Sequence, residues 1–166
     1  GKKVLEFGCS VGTLTIPLAE AVQKNGRVYA TDLSSRDLLI ARKRLIERGH
    51  THVIELHDEN QVNRVHPSVP KVNAIVSIGM MGYLQDVKKV LGEMNALLPY
   101  GGKIVFVDYV DYFKVIPNVP WLSNNKAVEG VFKDMGFSVY VRRKKGLFWD
   151  YIYVSGTKFH QDNPSA

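Results

Sequence analysis

Only one cysteine, Cys9, occurs in the 166 residues, which excludes a disulfide framework and a cysteine-built zinc site. No stretch approaches the roughly 18 consecutive apolar residues that cross a bilayer, and no basic segment followed by an apolar run opens the chain as a secretion signal would. Internal repeats, low-complexity tracts and linker-like runs are missing too. The expectation is therefore one domain over residues 1–160 with a frayed tail at 161–166. A reducing, cytoplasmic setting follows from the cysteine count. The five histidines are scattered without forming a ligand pair, and no metal site is expected.

What is present is ordinary for a globular chain: 45% apolar and 23% charged residues, enough at this length to bury a core. Lys plus Arg number 22 against 16 Asp plus Glu, a net charge of +6. Such an excess attracts nucleic acid, anionic lipid or an acidic substrate, or simply keeps a surface solvated.

Strand-like and helix-like segments alternate from the start. Val4 to Phe7 reads as a buried strand, Gly8 to Gly12 as a tight turn, and Leu14 to Val22 as a helix that tolerates Pro17 near its first turn. Arg27 to Thr31, His52 to Leu56, Val72 to Ile78 and Lys103 to Val107 read as further strands. Ser34 and Asp86 stand where helix caps belong, and Leu38, Ala41 and Leu45 share one helical face. Residues 124–135 look helical up to Gly136. Phe137 to Val141 and Phe148 to Ser155 then read as a hairpin whose turn is Arg142-Arg143-Lys144-Lys145-Gly146. Five β–α alternations imply a doubly wound α/β fold. The expected sheet is mostly parallel, with helices on both faces and a C-terminal antiparallel hairpin.

In such a sheet, ligands bind beyond the carboxyl ends of the strands near the point where strand order reverses. Each relevant strand end carries a suitable group. Glu6, Gly8, Cys9, Ser10, Gly12 and Thr13 follow the first strand, with glycines that let a ligand approach the backbone. Asp32 ends the second, twenty residues after Gly12, at a spacing suited to binding both hydroxyls of a ribose. Leu33 follows it, Asp58 and Glu59 follow the third strand, and Ser77 and Gly79 the fourth.

The segment VLEFGCSVGTLTIPLA resembles the first motif of class I S-adenosylmethionine-dependent methyltransferases, an acid followed by Gly-x-Gly-x-Gly, with Ser10 in place of the middle glycine. RVYATDLS is similar to the second motif, and the stretch from Val72 to LLPYGGKIVFVD resembles the fourth strand, its helix and the turn into strand five. The resemblance spans residues 1–158 and is nearest the ubiquinone/menaquinone-biosynthesis type. It implies a seven-stranded sheet of strand order 3-2-1-4-5-7-6, with S-adenosylmethionine as cofactor and S-adenosylhomocysteine as product. By it, Glu6 and the 8–12 loop hold the methionine part, Asp32 the ribose, and Leu33, Asp58 and Glu59 the adenine. Family members place a helix or small lid ahead of the first strand. This chain opens on the strand, which leaves a trimmed front end, a minimal domain or a cover from another subunit as alternatives.

Two other readings of the same loop fare worse. A nicotinamide fingerprint needs Gly-x-Gly-x-x-Gly, and no third glycine falls in place. Gly8-Cys9-Ser10-Val11-Gly12 does match the Gly-x-Ser-x-Gly nucleophile elbow, with His160 as a downstream base, but that elbow also requires an earlier strand to complete its oxyanion hole.

For the acceptor, methyl transfer from a sulfonium needs alignment and water exclusion, and a base only where a proton must leave. No Asn/Asp-Pro-Pro-Tyr/Phe motif follows strand four, and Cys9 sits in the cofactor loop, so nucleic-acid methylation is disfavoured. Met80, Met81, Tyr83, Asp108, Tyr109, Asp111, Tyr112, Phe113 and Trp121 form an apolar, aromatic set. Within it Asp108, Tyr109 and Tyr83 are the catalytic candidates. Asp108 and Asp111 lack the further ligands of a metal site. The expected reaction is methylation of a small apolar, aromatic or lipid-like acceptor. RNA methylation and a non-catalytic Rossmann-like binding module are the alternatives. Arg142, Arg143, Lys144 and Lys145, next to Phe148 and Trp149, form the conspicuous basic feature, suited to an anionic membrane or an RNA backbone or to a solvated turn. No residue pattern signals an oligomeric state.

Overall fold

The computed structural model describes residues 1–159, so the tail at 161–166 and His160 lie outside the described residues. The strands are β1 (Lys3–Phe7), β2 (Arg27–Asp32), β3 (Val53–His57), β4 (Ala74–Ile78), β5 (Lys103–Val110), β6 (Phe137–Lys144) and β7 (Asp150–Lys158). Four α-helices join them among the described residues: α1 (Thr15–Val22), α2 (Ser35–Glu47), α3 (Val87–Leu97) and α4 (Asn125–Asp134). One sheet runs in the order β3-β2-β1-β4-β5-β7-β6. The β1–β5 pairings are parallel, and β7 pairs antiparallel with both β5 and β6. The expected fold class and strand order are the ones observed.

The helices begin where polar caps stand. Ser34, Asp86 and Asn124 each accept a hydrogen bond from a backbone N–H in the first turn, from Asp37, Lys89 and Ala127 respectively, relieving donors that have no partner within the helix. Their apolar stripes then face the sheet. Phe132 and Val128 of α4 are buried, and the Phe132 ring meets Phe106 of β5 at 5.7 Å and Phe137 of β6 at 6.2 Å. Burial of each such side chain contributes about 1.5–3 kcal/mol.

Two features depart from the expectation. Five β–α alternations were expected, but the crossover from β3 to β4 carries no helix among the described residues. Prolines at 67 and 70 break any helical run there. The segment closes over the core instead through buried Val65, Val69 and Val72. The hairpin also differs, because β6 runs on through Lys144. Arg142, Arg143 and Lys144 are therefore strand residues, and the turn is made by 145–149.

Parallel register aligns the strand ends that matter. Phe7 sits beside Thr31, and Glu6 beside Ala30 and Val76. The chain leaving β1, β2 and β4 therefore emerges along one edge, with strand order reversing between β1 and β4. The carboxyl end of β5 adjoins it.

Candidate functional site

The loop after β1 is built on left-handed backbone. Gly8 has φ +86°, and a Cβ there would lie 2.2 Å from Met80 Cγ, so only glycine leaves room for that side chain. Gly12 has φ +81°, and a Cβ would lie 3.1 Å from that of Ala41, so α2 packs directly on the turn. The N–H groups of Gly8 and Cys9 both donate to the Thr31 carbonyl, at 3.0 and 2.9 Å. Ser10 also stands at positive φ, +46°. Its N–H donates to Asp32 Oδ2 at 2.7 Å and its hydroxyl to Asp37 Oδ2 at 3.0 Å.

Asp32 is buried at the end of β2. Its second oxygen accepts from the Ser34 N–H at 2.8 Å. Each carboxylate oxygen thus accepts one protein hydrogen bond and retains acceptor capacity for a ligand. This arrangement suits the two adjacent hydroxyls of a ribose.

Glu6 is buried beneath the loop, and its Oε2 has no hydrogen-bond partner. Burial, reinforced by the charge of Asp32 and only partly offset by the Thr15 hydroxyl, pushes its carboxyl up to about 8. Gln61, 1% exposed, has neither amide atom paired, and its Nε2 lies 3.7 Å from the position of a Gly8 Cβ. Buried polar atoms without partners are unfavourable by about 1–3 kcal/mol each, and both stand at the glycine loop. Gln61 escapes a reading of the sequence because a glutamine in a polar loop is expected to be solvated. The signal is its burial, which only the fold reveals. Cys9 is buried, and burial raises its thiol well above the ordinary value, consistent with a small packing residue. Thr13 is exposed.

The remaining cofactor candidates divide. Leu33 is exposed beside Asp32, and Ser77 is buried, donating its hydroxyl to the Phe7 carbonyl at 2.6 Å. Gly79, at φ +73°, follows β4 with the Tyr109 ring 3.7 Å from where its Cβ would be. Glu59 is exposed. Asp58, expected to face an adenine, has a different role: its carboxylate accepts from the Arg64 guanidinium at 2.8–3.2 Å and from the Asn60 N–H at 3.0 Å. Burial raises this carboxyl, but Arg64 and the Asn60 N–H outweigh it and hold it below its ordinary value. Asp58 therefore fixes the loop after β3 rather than presenting a free carboxylate.

Asp108, near the carboxyl end of β5, is buried and accepts from the Gly82 N–H at 3.1 Å and the Tyr109 N–H at 2.7 Å. Burial raises its pKa against those bonds. It belongs to the wall of a cavity of about 250 Å³, with Tyr83, Tyr109, Tyr112, Ile116 and Val119. Burial, and then the charge of Asp108, raises the Tyr112 hydroxyl as well. The structure thus brings Asp108, Tyr109 and Tyr83 together. Tyr112 joins them, whereas Met81, Trp121, Asp111 and Phe113 do not line this cavity. Met81 is in the core and Trp121 packs against it. Asp111 is tied to Asn118 and Arg143, and Phe113 points to solvent. Arg143, expected on the basic surface, instead turns inward to Asn125, Asp111 and the Leu122 carbonyl. Among the described residues the Ser10 hydroxyl meets Asp37 and no imidazole, and His160, the base of the nucleophile-elbow reading, lies outside them.

Comparison with known proteins agrees with this geometry. A family profile described as a methyltransferase domain matches residues 5–104. A demethylmenaquinone methyltransferase of Anoxybacillus flavithermus is 32% identical over 108 residues, covering 65% of this chain and 45% of the relative. The chain spans about half the length of the curated relatives it matches. Among solved structures, a SAM-dependent methyltransferase from Aquifex aeolicus superposes with a TM-score of 0.71 at 21% identity, covering 93% of this chain and 81% of that one. Phosphoethanolamine N-methyltransferase 2 of Haemonchus contortus, solved with S-adenosyl-L-methionine, gives 0.75 at 14% identity, over 96% of this chain and 49% of that one. At these identities the structural matches speak for the fold.

Proposed function

The chain belongs to the methyltransferase-domain family, in its class I S-adenosylmethionine-dependent branch near the menaquinone type, and on that premise we propose that it methylates a small apolar, aromatic acceptor of quinone-like character. One observation carries the reading: the Asp108 cavity opens on the same sheet edge as the Gly8–Gly12 loop and Asp32, with Gly79 between them against the Tyr109 ring. A donor held by the first group and an acceptor held in the second would meet at Gly79.

The residues fit the cofactor. Asp32 retains acceptor capacity on both oxygens for a diol, Gly8 and Gly12 carry no side chain at the two ends of the loop, and Glu6 and Gln61 offer unpaired buried polar atoms. When bound, S-adenosylmethionine supplies an electrophilic methyl group with a neutral thioether as leaving group. The chain's own part is to align the acceptor and keep water out. A quinol-like acceptor must also lose a hydroxyl proton as its ring carbon attacks. Asp108 would take that proton: it lines the cavity, and burial raises its pKa, which makes it a better base than an exposed carboxylate. Tyr112 and Tyr83 would line the acceptor ring. A small-molecule acceptor also accords with the name borne by the menaquinone relatives. The single cysteine keeps the cytoplasm as the proposed setting.

The test is label transfer from methyl-labelled S-adenosylmethionine, offered in parallel a demethylated quinol and a pool of RNA. Label in the quinol is the expected result. Label in the RNA would replace this reading with the nucleic-acid one. Cofactor binding without transfer to either would leave a binding module.

A further inference from the structure

Two segments far apart in sequence, the 111–119 loop after β5 and the hairpin tip at 145–149, interlock into one platform. The Phe113 N–H donates to the Phe148 carbonyl, their rings lie 6.3 Å apart, and Lys114 pairs with Asp150. Asp111, Phe113 and Lys114 all adopt left-handed backbone, with φ of +54°, +49° and +60°, conformations unfavourable without glycine. The reciprocal bonds of Asp111 with Asn118, at 2.9 and 2.8 Å, hold this loop in place. The strained shape turns apolar side chains outward. Leu147 is 82% exposed and Val115 80%, and Phe113, Ile116 and Phe148 are also exposed. Scattered exposed apolar residues need no explanation, but five on two interlocked loops do.

The surrounding charge is positive. Lys144 and Lys145 are exposed at the base of the tip, and Arg142 is exposed on the same strand face as Lys144. The acids behind the platform, Asp111 and Asp150, are paired with Arg143 and Lys114. We propose that this platform docks on a bilayer surface rich in anionic phospholipid. Its apolar side chains enter the boundary between headgroups and acyl chains, and Arg142, Lys144 and Lys145 meet the lipid phosphates. The chemistry favours lipid over RNA, because the two most exposed side chains are aliphatic and offer no stacking face to a base. Ile116 belongs to both the platform and the Asp108 cavity. Docking would therefore bring the cavity against the lipid phase from which an apolar acceptor enters. That last consequence rests on the proposed function, whereas the docking itself does not.

The experiment is co-sedimentation of the full chain, without cofactor or acceptor, with phosphatidylcholine vesicles and with vesicles containing about 30% phosphatidylglycerol. The expected result is salt-sensitive binding, at least about tenfold stronger to the anionic vesicles. Leu147→Ser/Phe148→Ser and, separately, Lys144→Glu/Lys145→Glu should each weaken it about tenfold or more at an unchanged melting temperature. Val115→Ser, on the other loop, should weaken it too. Absence of binding to anionic vesicles overturns the proposal, as does binding that all three variants retain. It is equally overturned if RNA capture or a concentration-dependent dimer is lost in these variants while the wild-type chain ignores vesicles. Because no cofactor is present, failure of the methyltransferase reading would leave the vesicle result standing.

Discussion

The backbone N–H of Ser10 donates to the Asp32 carboxylate across 2.7 Å, tying the loop after β1 to the end of β2 at the position where the family motif has its middle glycine. Ser10 adopts the left-handed conformation that glycine would take without strain. Its hydroxyl bond to Asp37 partly offsets that strain and links the loop to the first turn of α2.

Ser10→Ala should therefore be less stable than Ser10→Gly. Both lose the hydroxyl bond, but alanine keeps the strain, worth about 1 kcal/mol. Thermal melting of the two variants side by side checks this. An alanine variant as stable as the glycine one would mean that the loop relaxes when the hydroxyl is removed.

Asp32→Ala removes the acceptor for the Ser10 and Ser34 N–H groups together with the proposed ribose partner. Affinity for S-adenosylhomocysteine should fall by about 1–3 kcal/mol, the usual effect of deleting a charged hydrogen-bond partner. Binding at wild-type strength would remove Asp32 from the site.

Glu6 gives the fold a pH dependence of defined sign. Its folded pKa, about 8, lies above the ordinary value of 4.5. Between those values the folded chain keeps a proton that the unfolded chain releases, so stability falls as pH rises from about 4.5 to about 8 and then levels. Denaturant melts across that range should show the slope in the wild type and a reduced slope in Glu6→Gln. A slope that survives the substitution would assign it to another group.

Asp108→Asn keeps the shape of the cavity wall and one of the two oxygens that accept from the Gly82 and Tyr109 N–H groups, but it removes the base. Turnover on a quinol should drop by about 100-fold or more while affinity for the cofactor stays within a few-fold. Single-turnover label transfer beside a binding titration separates the two. Equal loss of both would make Asp108 a structural residue.

The sheet was legible because its signals are local and repeated. Caps at Ser34 and Asp86, apolar strands and glycine turns all point the same way, and the strand order is the one the family resemblance implies. The missing helix between β3 and β4 was not legible, because the expectation that every parallel crossover carries a helix overrode the prolines at 67 and 70. Within the site, the loop glycines and Asp32 could be read because backbone geometry and strand-end position constrain them. The Arg64 partner of Asp58 and the burial of Gln61 were missed for one reason. Whether a polar side chain is free depends on neighbours such as Arg64 or Met80, which the fold brings in and local sequence does not announce. Arg143 shows the same limit, since strand pairing turned it inward to Asp111 and Asn125.

Titration calorimetry of the folded chain with S-adenosylhomocysteine, with NAD as control, tests the central claim most directly. The geometry of Glu6, Gly8, Ser10 and Asp32 predicts saturable binding of one S-adenosylhomocysteine per chain and no heat with NAD beyond dilution. Binding of NAD instead, or of neither ligand by a chain whose melting transition is intact, would contradict it.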